Sequence, residues 1–224
     1  MRCSASKLLF SLGLAAALAS GCAADPPPDE TTDDGLVRVA SRSAGGVYRA
    51  PEATFFQYRR IILEPPSISF TAGWAEKHPD VGSRELARLR AESIQVFRDE
   101  FTREFIRRGP YVFADEPAAD VLLVVPSIEE FDIKAPESAM DPSNSTSLNT
   151  RPVTMKVTGD LRDALTGKVI GRVIYHHAEE QTGLRRVDRS ANVREQRHAY
   201  EQWTRLAHEA LGVAKTVKPR APQP

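Results

Sequence analysis

The sequence predicts an α+β fold, a two-layer sandwich in which a mixed, mostly antiparallel sheet is covered by a long helix and a C-terminal helix. Three patterns lead to this prediction. Apolar residues recur at helical spacing over 83–108 and again over 193–211, and strand-like runs lie between these two segments. Helices that are segregated from a sheet in this order are typical of α+β sandwiches.

The first predicted strand spans 58–70 and reads YRRIILEPPSISF. Pro65 and Pro66 interrupt its apolar run. Because proline cannot donate a hydrogen bond to a neighbouring strand, the interruption predicts a bend or an edge position there. The stretch 71–82 contains glycine and proline punctuation and is predicted to be a loop.

The segment from Ser83 to Arg108 predicts the longest helix. Ser83 is the expected N-cap, and Gly109-Pro110 follows the last helical residue. The apolar side chains fall on about half of a helical wheel, and they are Leu86, Leu89, Ile94, Val96, Phe97, Phe101 and Phe105. We expect this phenylalanine stripe to pack against the sheet rather than face lipid.

The continuous apolar run 121–125 predicts a central strand that is buried on both faces, and its pattern continues to Ile133. Strict alternation over 153–161 and a second run over 168–175, joined at Thr166-Gly167, predict a hairpin. Between Ile133 and this hairpin lies a Ser/Asn/Thr-rich loop, 136–150, which we expect to be an interaction surface because loops of this length are usually functional or mobile.

The C-terminal helix is predicted over 193–211. Asn192 and Glu195 have the spacing of a capping box at its start. Tyr200, Trp203 and Leu211 recur at helical intervals on its apolar face. Residues 215–224 are predicted to be a disordered tail.

The first 21 residues have the pattern of a secretory leader. Arg2 and Lys7 precede an apolar run that is too short to span a bilayer as a mature helix, and Gly21-Cys22 ends the segment. This ending resembles the lipobox of bacterial lipoproteins. The resemblance implies cleavage between Gly21 and Cys22, followed by attachment of a diacylglycerol and an N-acyl chain to Cys22. The alternative is an ordinary secretory peptide that is cut near Ala24.

Composition excludes several kinds of function. The chain has 30 basic and 30 acidic residues, and two of the basic residues lie in the leader. The mature chain therefore carries a net charge of about −2. This charge offers no source of affinity for nucleic acid. Cys22 is then the only cysteine, which excludes an internal disulfide and a thiolate metal site. We expect a flexible tether over 22–46 and a single domain over 47–214.

Several segments, taken in order, resemble the DUF3313 family of predicted bacterial lipoproteins. They cover almost the whole mature chain and read DGLVRV from Asp34, VYRAP from Val47, YRRIILEP from Tyr58, Glu85–Glu104, ADVLLVVP from Ala119, DLRDALTG from Asp160 and the helix of Trp203. The resemblance implies a secreted, lipidated α+β domain without established catalytic residues.

Few residues offer catalytic or metal chemistry. Adjacent side chains of a strand point to opposite faces, so His176 and His177 could not share one ion, and His177 with Glu179 supplies only two ligands. We therefore expect solvated strand-end residues and no metal site. Glu129 and Glu130 could act as paired carboxylates, but we expect them at an exposed sheet edge, where charge discourages aggregation.

The densest basic patch comprises Arg185, Arg186 and Arg189, close in sequence to Arg194 and Arg197. We expect a solvated turn and helix start at this position. The functional alternative is contact with anionic lipid headgroups or with acidic glycan.

These features together predict a non-enzymatic envelope lipoprotein without a cofactor other than its acyl chains, which binds an envelope protein or a glycan. Ala23, in place of the Asp associated with inner-membrane retention, favours the periplasmic face of the outer membrane. Two alternatives stay open. One is a periplasmic hydrolase or glycan-modifying enzyme that uses Glu129, Glu130 or His177, and the other is an accessory subunit of a transport or secretion system.

Overall fold

A computed structural model describes residues 31–39, 45–133, 153–178 and 189–211. Gly21, Cys22, Arg185 and Arg186 lie outside the described residues, as do the leader, Glu179, the loop 136–150 and the tail. Within the described ranges, no helix is both long enough and apolar enough to cross a membrane.

The described residues form eight strands, three α-helices and one π-helical segment. In chain order they are β1 (Val37–Val39), β2 (Gly45–Arg49), β3 (Arg60–Leu63), β4 (Ser67–Phe70), α1 (Trp74–Lys77), α2 (Ser83–Phe101), the π-helical segment (Thr102–Arg107), β5 (Val112–Phe113), β6 (Val121–Ile133), β7 (Val153–Asp163), β8 (Val169–His177) and α3 (Arg189–Leu211).

All strands belong to one mixed sheet with the order β1-β2-β8-β7-β6-β3-β5, and β4 also pairs with β6. Four neighbouring pairs are antiparallel, namely β1–β2, β2–β8, β8–β7 and β7–β6. Strands β3 and β4 run parallel to β6, and β5 runs parallel to β3. The predicted α+β class, with a mostly antiparallel sheet, a long helix and a C-terminal helix, is confirmed.

The two long helices pack on the same face of the sheet. Phe97, Phe101 and Phe105 are fully buried, so the predicted packing of the phenylalanine stripe is confirmed. Trp203 of α3 is also fully buried, and its Nε1–H donates a hydrogen bond to the Val173 carbonyl of β8 at 3.2 Å. A continuous apolar core therefore joins α2, α3 and the sheet.

The limits of the first helix and strand differ from the prediction. Pro65 and Pro66 divide the predicted strand into β3 and β4, and both pieces pair with β6. Gly82, not Ser83, occupies the N-cap of α2, and no side chain caps this end. The α-helical part ends at Phe101, where the predicted helix continues as the π-helical segment instead.

Strand β6 is central, but it is not buried on both faces. Leu122, Val124 and Ile128 are fully buried, whereas Leu123 and Val125 are only partly buried. The helices cover one face of the sheet, and the opposite face, called here the open face, carries the alternate residues. At one end of the open face, Leu36 packs against Tyr48 and Asp34 pairs with Arg172. The apolar run 121–125 therefore indicates a central strand of the sheet, but not a strand whose two faces are both buried.

The segment before β2 is more ordered than the predicted tether. Leu36 is 1% exposed and packs against Tyr48, and β1 pairs with β2. Arg172 of β8 donates a hydrogen bond to Asp34 at 2.9 Å. Residues 31–39 and 45–46, the described part of the predicted tether, are thus attached to the sheet. Leu36 is buried there against the apolar side chains of Tyr48 and Ala50.

Helix α3 begins at Arg189, before the predicted start. Asn192 and Glu195 lie inside the helix and are buried, so they do not form the predicted capping box. The carboxylate of Glu195 instead contacts His177 of β8.

Candidate functional site

Glu129 and Glu130 do not lie at a sheet edge, because β6 has neighbours on both sides. Glu129 accepts hydrogen bonds from Lys156 Nζ and from Ser127 Oγ, both at 2.9 Å. The bond from Lys156 lowers the pKa of the Glu129 carboxyl, and the Ser127 bond acts in the same direction. Glu130 is exposed and has a φ of 51° at the bulge of β6. Glu129 is therefore held as an ionised partner of Lys156.

His177 is buried rather than solvated at the strand end. It is 2% exposed, and its Nε2 lies 3.1 Å from Glu195 Oε2. His176, the preceding residue of β8, is paired in register with Lys156 and points to the opposite face. The structure thus separates His177 from Glu129 and does not bring them to a common cleft.

No three His, Cys, Asp or Glu side chains of the described residues come together in an arrangement that could hold a metal ion.

The open face carries charges that pair with one another. Arg172 contacts Asp160 at 2.7 Å and Asp34 at 2.9 Å, and Arg162 contacts Asp160 at 2.9 Å. A shallow depression of about 410 Å³ lies among these side chains and the pair of Lys156 with Glu129. Each of these charged side chains has a partner of opposite sign, so this part of the open face can remain in contact with water without an unpaired charge.

A different, strongly basic depression lies between the end of α2, the π-helical segment and α3. We call it the arginine pocket. It has a volume of about 450 Å³, and its lining consists of Arg98, Asp99, Glu100, Thr102, Arg103, Arg107 and Arg197.

The buried carboxylate of Glu100 contacts two of the arginines that line the arginine pocket. It is 3% exposed and accepts hydrogen bonds from Arg103 Nη1 at 3.0 Å and from Arg197 Nε at 2.9 Å. Arg103 Nη2 also contacts the second carboxylate oxygen. Burial raises the pKa of Glu100, and the two guanidiniums oppose that shift. The carboxylate thereby holds one arginine of each helix in a defined position.

Glu104 pairs both with Arg103 of the arginine pocket and with Arg108, which follows the π-helical segment. It accepts a hydrogen bond from Arg103 Nε at 2.9 Å and another from Arg108 Nη1 at 2.8 Å. Positive charge in these last turns also interacts favourably with the carbonyl end of the helix.

A second cleft, called here the apolar cleft, lies beside the arginine pocket. Its volume is about 390 Å³, and its lining combines the apolar side chains of Pro65, Pro66, Ile94, Phe97 and Phe113 with the side chains of Glu64 and Asp115. Arg98 lines both cavities, so the two meet at this side chain.

The predicted basic patch and the arginine pocket both include residues of α3, but of the predicted basic residues that the structure describes, only Arg197 lines the pocket. Arg189 begins α3, and Arg194 donates a hydrogen bond to Ser190 Oγ at 2.8 Å. Arg197 joins α2 in the arginine pocket instead. The signal that could have found the pocket is Glu100, a carboxylate on the helix face that also carries Phe97. A charge at such a position needs a partner from another element.

Comparisons with known proteins return distant structural likenesses. No family model and no curated protein matches the chain. Among solved structures, the PelC dodecamer from Paraburkholderia phytofirmans is 9% identical, with 71% of this chain and 96% of that chain covered and a TM-score of 0.38.

Two further structures are similar to the same degree. A putative neuraminyllactose-binding hemagglutinin homologue from Helicobacter pylori is 10% identical, covers 73% of this chain and 87% of its own and has a TM-score of 0.37. A PDZ domain protein from Parabacteroides distasonis is 10% identical, covers 71% of this chain and 34% of its own and has a TM-score of 0.35. Likenesses at this level support no conclusion about function.

Proposed function

We propose that this chain is a lipid-anchored, non-enzymatic protein of the bacterial envelope whose folded domain binds another envelope component. The observation that carries the proposal is Cys22 at the end of a charged and then apolar leader. Each acyl methylene that enters a bilayer contributes about 0.8 kcal/mol, and two or more acyl chains make membrane attachment stable.

The short link between Cys22 and the folded domain supports a position close to the membrane. Asp34 and Leu36 attach the chain to the sheet. Nine residues from Cys22 to Thr31 reach at most about 30 Å when fully extended. Ala23 at the position after the cysteine supports the periplasmic face of the outer membrane as the location.

The side chains that an enzyme would need have structural partners. Glu129 is ion-paired with Lys156, which lowers its pKa, whereas a general acid needs a raised pKa. His177 is buried against Glu195. A binding role accounts better for an arginine pocket that opens to solvent.

The test replaces Cys22 with alanine in the full chain. Cys22→Ala is expected to move the protein from the membrane fraction to the soluble periplasmic fraction, because no acyl chain can be attached. Cys3→Ala is the matched control, since this cysteine lies in the leader, and its product is expected to stay with the membrane. Retention of the Cys22→Ala protein in the membrane fraction would contradict the proposal.

The choice of membrane has its own test. In density-gradient separation, the parent protein is expected in the outer membrane fraction, and Ala23→Asp is expected to shift it to the inner membrane. A parent protein in the inner membrane would refute the location without affecting the acylation.

A further inference from the structure

The arginine pocket has more positive charge than its own carboxylates neutralise. Four guanidiniums line it with the two carboxylates of Asp99 and Glu100, and beyond the lining Glu104 is ion-paired with Arg103 and Glu201 lies near the same guanidinium. Arg98 and Arg107 are exposed, and neither forms an ion pair within the part of the chain that the structure describes. The charges of Arg98 and Arg107 are therefore available to an anion from solution.

The hydrogen-bond donors of the pocket are also only partly used. A guanidinium has five N–H donors. Arg197 directs its Nε–H to Glu100, and Arg103 directs donors to Glu100 and Glu104. Arg103 Nη2 also contacts Glu100. Within the described residues, the Nη donors of Arg197 and the hydroxyl of Thr102 make no hydrogen bond, and both residues line the pocket. Guanidiniums that a buried carboxylate holds in place lose little freedom on binding a further anion.

The π-helical segment shapes one wall of this pocket. The Arg108 N–H donates to the Arg103 carbonyl at 3.1 Å, five residues earlier, and the Thr102 N–H is shared between the carbonyls of Arg98 and Asp99. The wider turn brings residues four and five apart onto one side of the helix. Arg98, Arg103 and Arg107 have this spacing and all line the pocket.

The apolar cleft extends this basic site in one direction. Ile94, Phe97 and Arg98 of α2 line it together with Phe113 of the edge strand β5. Phe113 is 42% exposed, so an apolar ligand would cover surface that now faces water. Glu64 and Asp115 also line the cleft, and because both are exposed, their carboxylates can stay in water beside an acyl chain. A ligand that has an anionic head and an apolar chain then fits both cavities at once, with Arg98 at their junction.

We propose that the arginine pocket binds the phosphate group of an anionic lipid, one acyl chain of which lies in the apolar cleft. Arginines recognise phosphate through paired N–H donors, and the cleft has the size range of small-molecule sites. This inference deepens the proposed function and rests on it for the source of the ligand. A domain that is tethered within about 30 Å of a membrane meets lipid headgroups at a high effective concentration.

The test measures lipid affinity in the full chain with Cys22→Ala, so that the protein's own acyl chains do not contribute. Isothermal titration calorimetry uses dihexanoyl phosphatidic acid below its critical micelle concentration. The double variant Arg98→Gln/Arg107→Gln is expected to raise the Kd about tenfold or more, because two charge-assisted contacts are lost.

The matched control removes the same charge outside the pocket. Arg84 and Arg205 are exposed residues of α2 and α3 that do not line either cavity. The double variant Arg84→Gln/Arg205→Gln is expected to keep the Kd within about twofold of the parent value. Absence of binding by the parent protein, or equal weakening in both double variants, would overturn the proposal.

A second pair of variants tests the cleft. Phe113→Ser is expected to weaken phosphatidic acid binding about fivefold or more while the affinity for inorganic phosphate stays unchanged. Phe56→Ser removes a ring that is 86% exposed and outside the cleft, and it is expected to change neither affinity. Equal affinities of the parent for inorganic phosphate and for phosphatidic acid would overturn the assignment to a lipid.

The two proposals fail in different experiments. A chain that Cys22→Ala releases from the membrane, but that binds no phosphatidic acid, is a lipoprotein with another ligand. A chain that binds phosphatidic acid through the arginine pocket, but that Cys22→Ala does not release, retains the site and refutes the anchor.

Discussion

Gly159 of β7 shows how one residue controls the packing of a helix on the sheet. A Cβ built at this position would overlap ring atoms of Trp203, which is fully buried. The indole is also fixed by the hydrogen bond from its Nε1–H to the carbonyl of Val173, the residue of β8 that pairs with Gly159. The missing side chain at residue 159 therefore makes the space that Trp203 occupies.

Gly159→Ala is expected to lower the free energy of unfolding by about 1–3 kcal/mol, because the added methyl forces Trp203 or the strand to move. Urea unfolding followed by tryptophan fluorescence measures the change. Gly82→Ser is the control, since Gly82 has open space around its Cα and an ordinary φ of −75° at the N-cap. A Gly159→Ala protein as stable as the parent would show that Trp203 can shift without cost.

The contact between α2 and α3 depends on a buried polar pair as well as on rings. Ser93 Oγ and Tyr200 Oη are 2.5 Å apart, and both residues are fully buried. Tyr200 also meets Phe97 edge to face, with ring centroids 5.2 Å apart. Burial raises the pKa of the Tyr200 phenol, so it stays neutral as a hydrogen-bonding group.

We expect Tyr200→Phe to cost about 1–2 kcal/mol of unfolding free energy, because the Ser93 hydroxyl then loses its buried partner. The double variant Ser93→Ala/Tyr200→Phe is expected to be more stable than the sum of the two single changes predicts. A double-mutant cycle from urea unfolding provides the coupling energy. Additive single effects would mean that the two hydroxyl groups do not depend on each other.

The end of α2 is the element that sequence patterns describe least well. Helical periodicity predicts one continuous helix to Arg108, and the apolar positions do continue to Phe105. The i→i+5 hydrogen bond of the π-helical segment changes the pitch without changing which side chains are apolar. Periodicity alone therefore cannot locate it.

At the scale of the whole molecule, acidic side chains link stability to pH. The hydrogen bond from Lys156 lowers the pKa of Glu129, and the bond from the Thr166 N–H lowers that of Asp163. A carboxyl whose pKa is lower in the folded than in the unfolded chain contributes stability above its unfolded pKa. That contribution is lost as the pH falls through the folded value.

We expect the free energy of unfolding to fall as the pH is lowered from about 5 to about 2.5, since the unfolded values of these carboxyls lie near 3.8 and 4.5. Glu129→Gln is expected to lose less stability over this interval than the parent, because one of the titrating groups is gone. Urea unfolding at several pH values measures both slopes. Glu116→Gln, at an exposed position without an ion pair in the described residues, is the control and is expected to follow the parent.

The sequence predicted the main elements of this protein and their order. It did not predict β1, β2 or β5, and the short helix α1 lies in the stretch 71–82 that was wrongly predicted to be a loop. The phenylalanine stripe of α2, the β7–β8 hairpin and the helix of Trp203 were all predicted, because periodicity and turn residues are local properties of the chain. The same patterns predicted the α+β class. The predicted anchor, Cys22, lies outside the described residues and stays a prediction.

The tertiary structure shows which residues from distant parts of the chain meet. It divides the predicted first strand into two parallel neighbours of β6, leaves one sheet face open and buries His177 against Glu195. It also joins Glu100 to Arg197 across the two helices, which creates the arginine pocket. These contacts could not be read from local patterns, because a buried charge shows that it needs a partner but not which residue provides it.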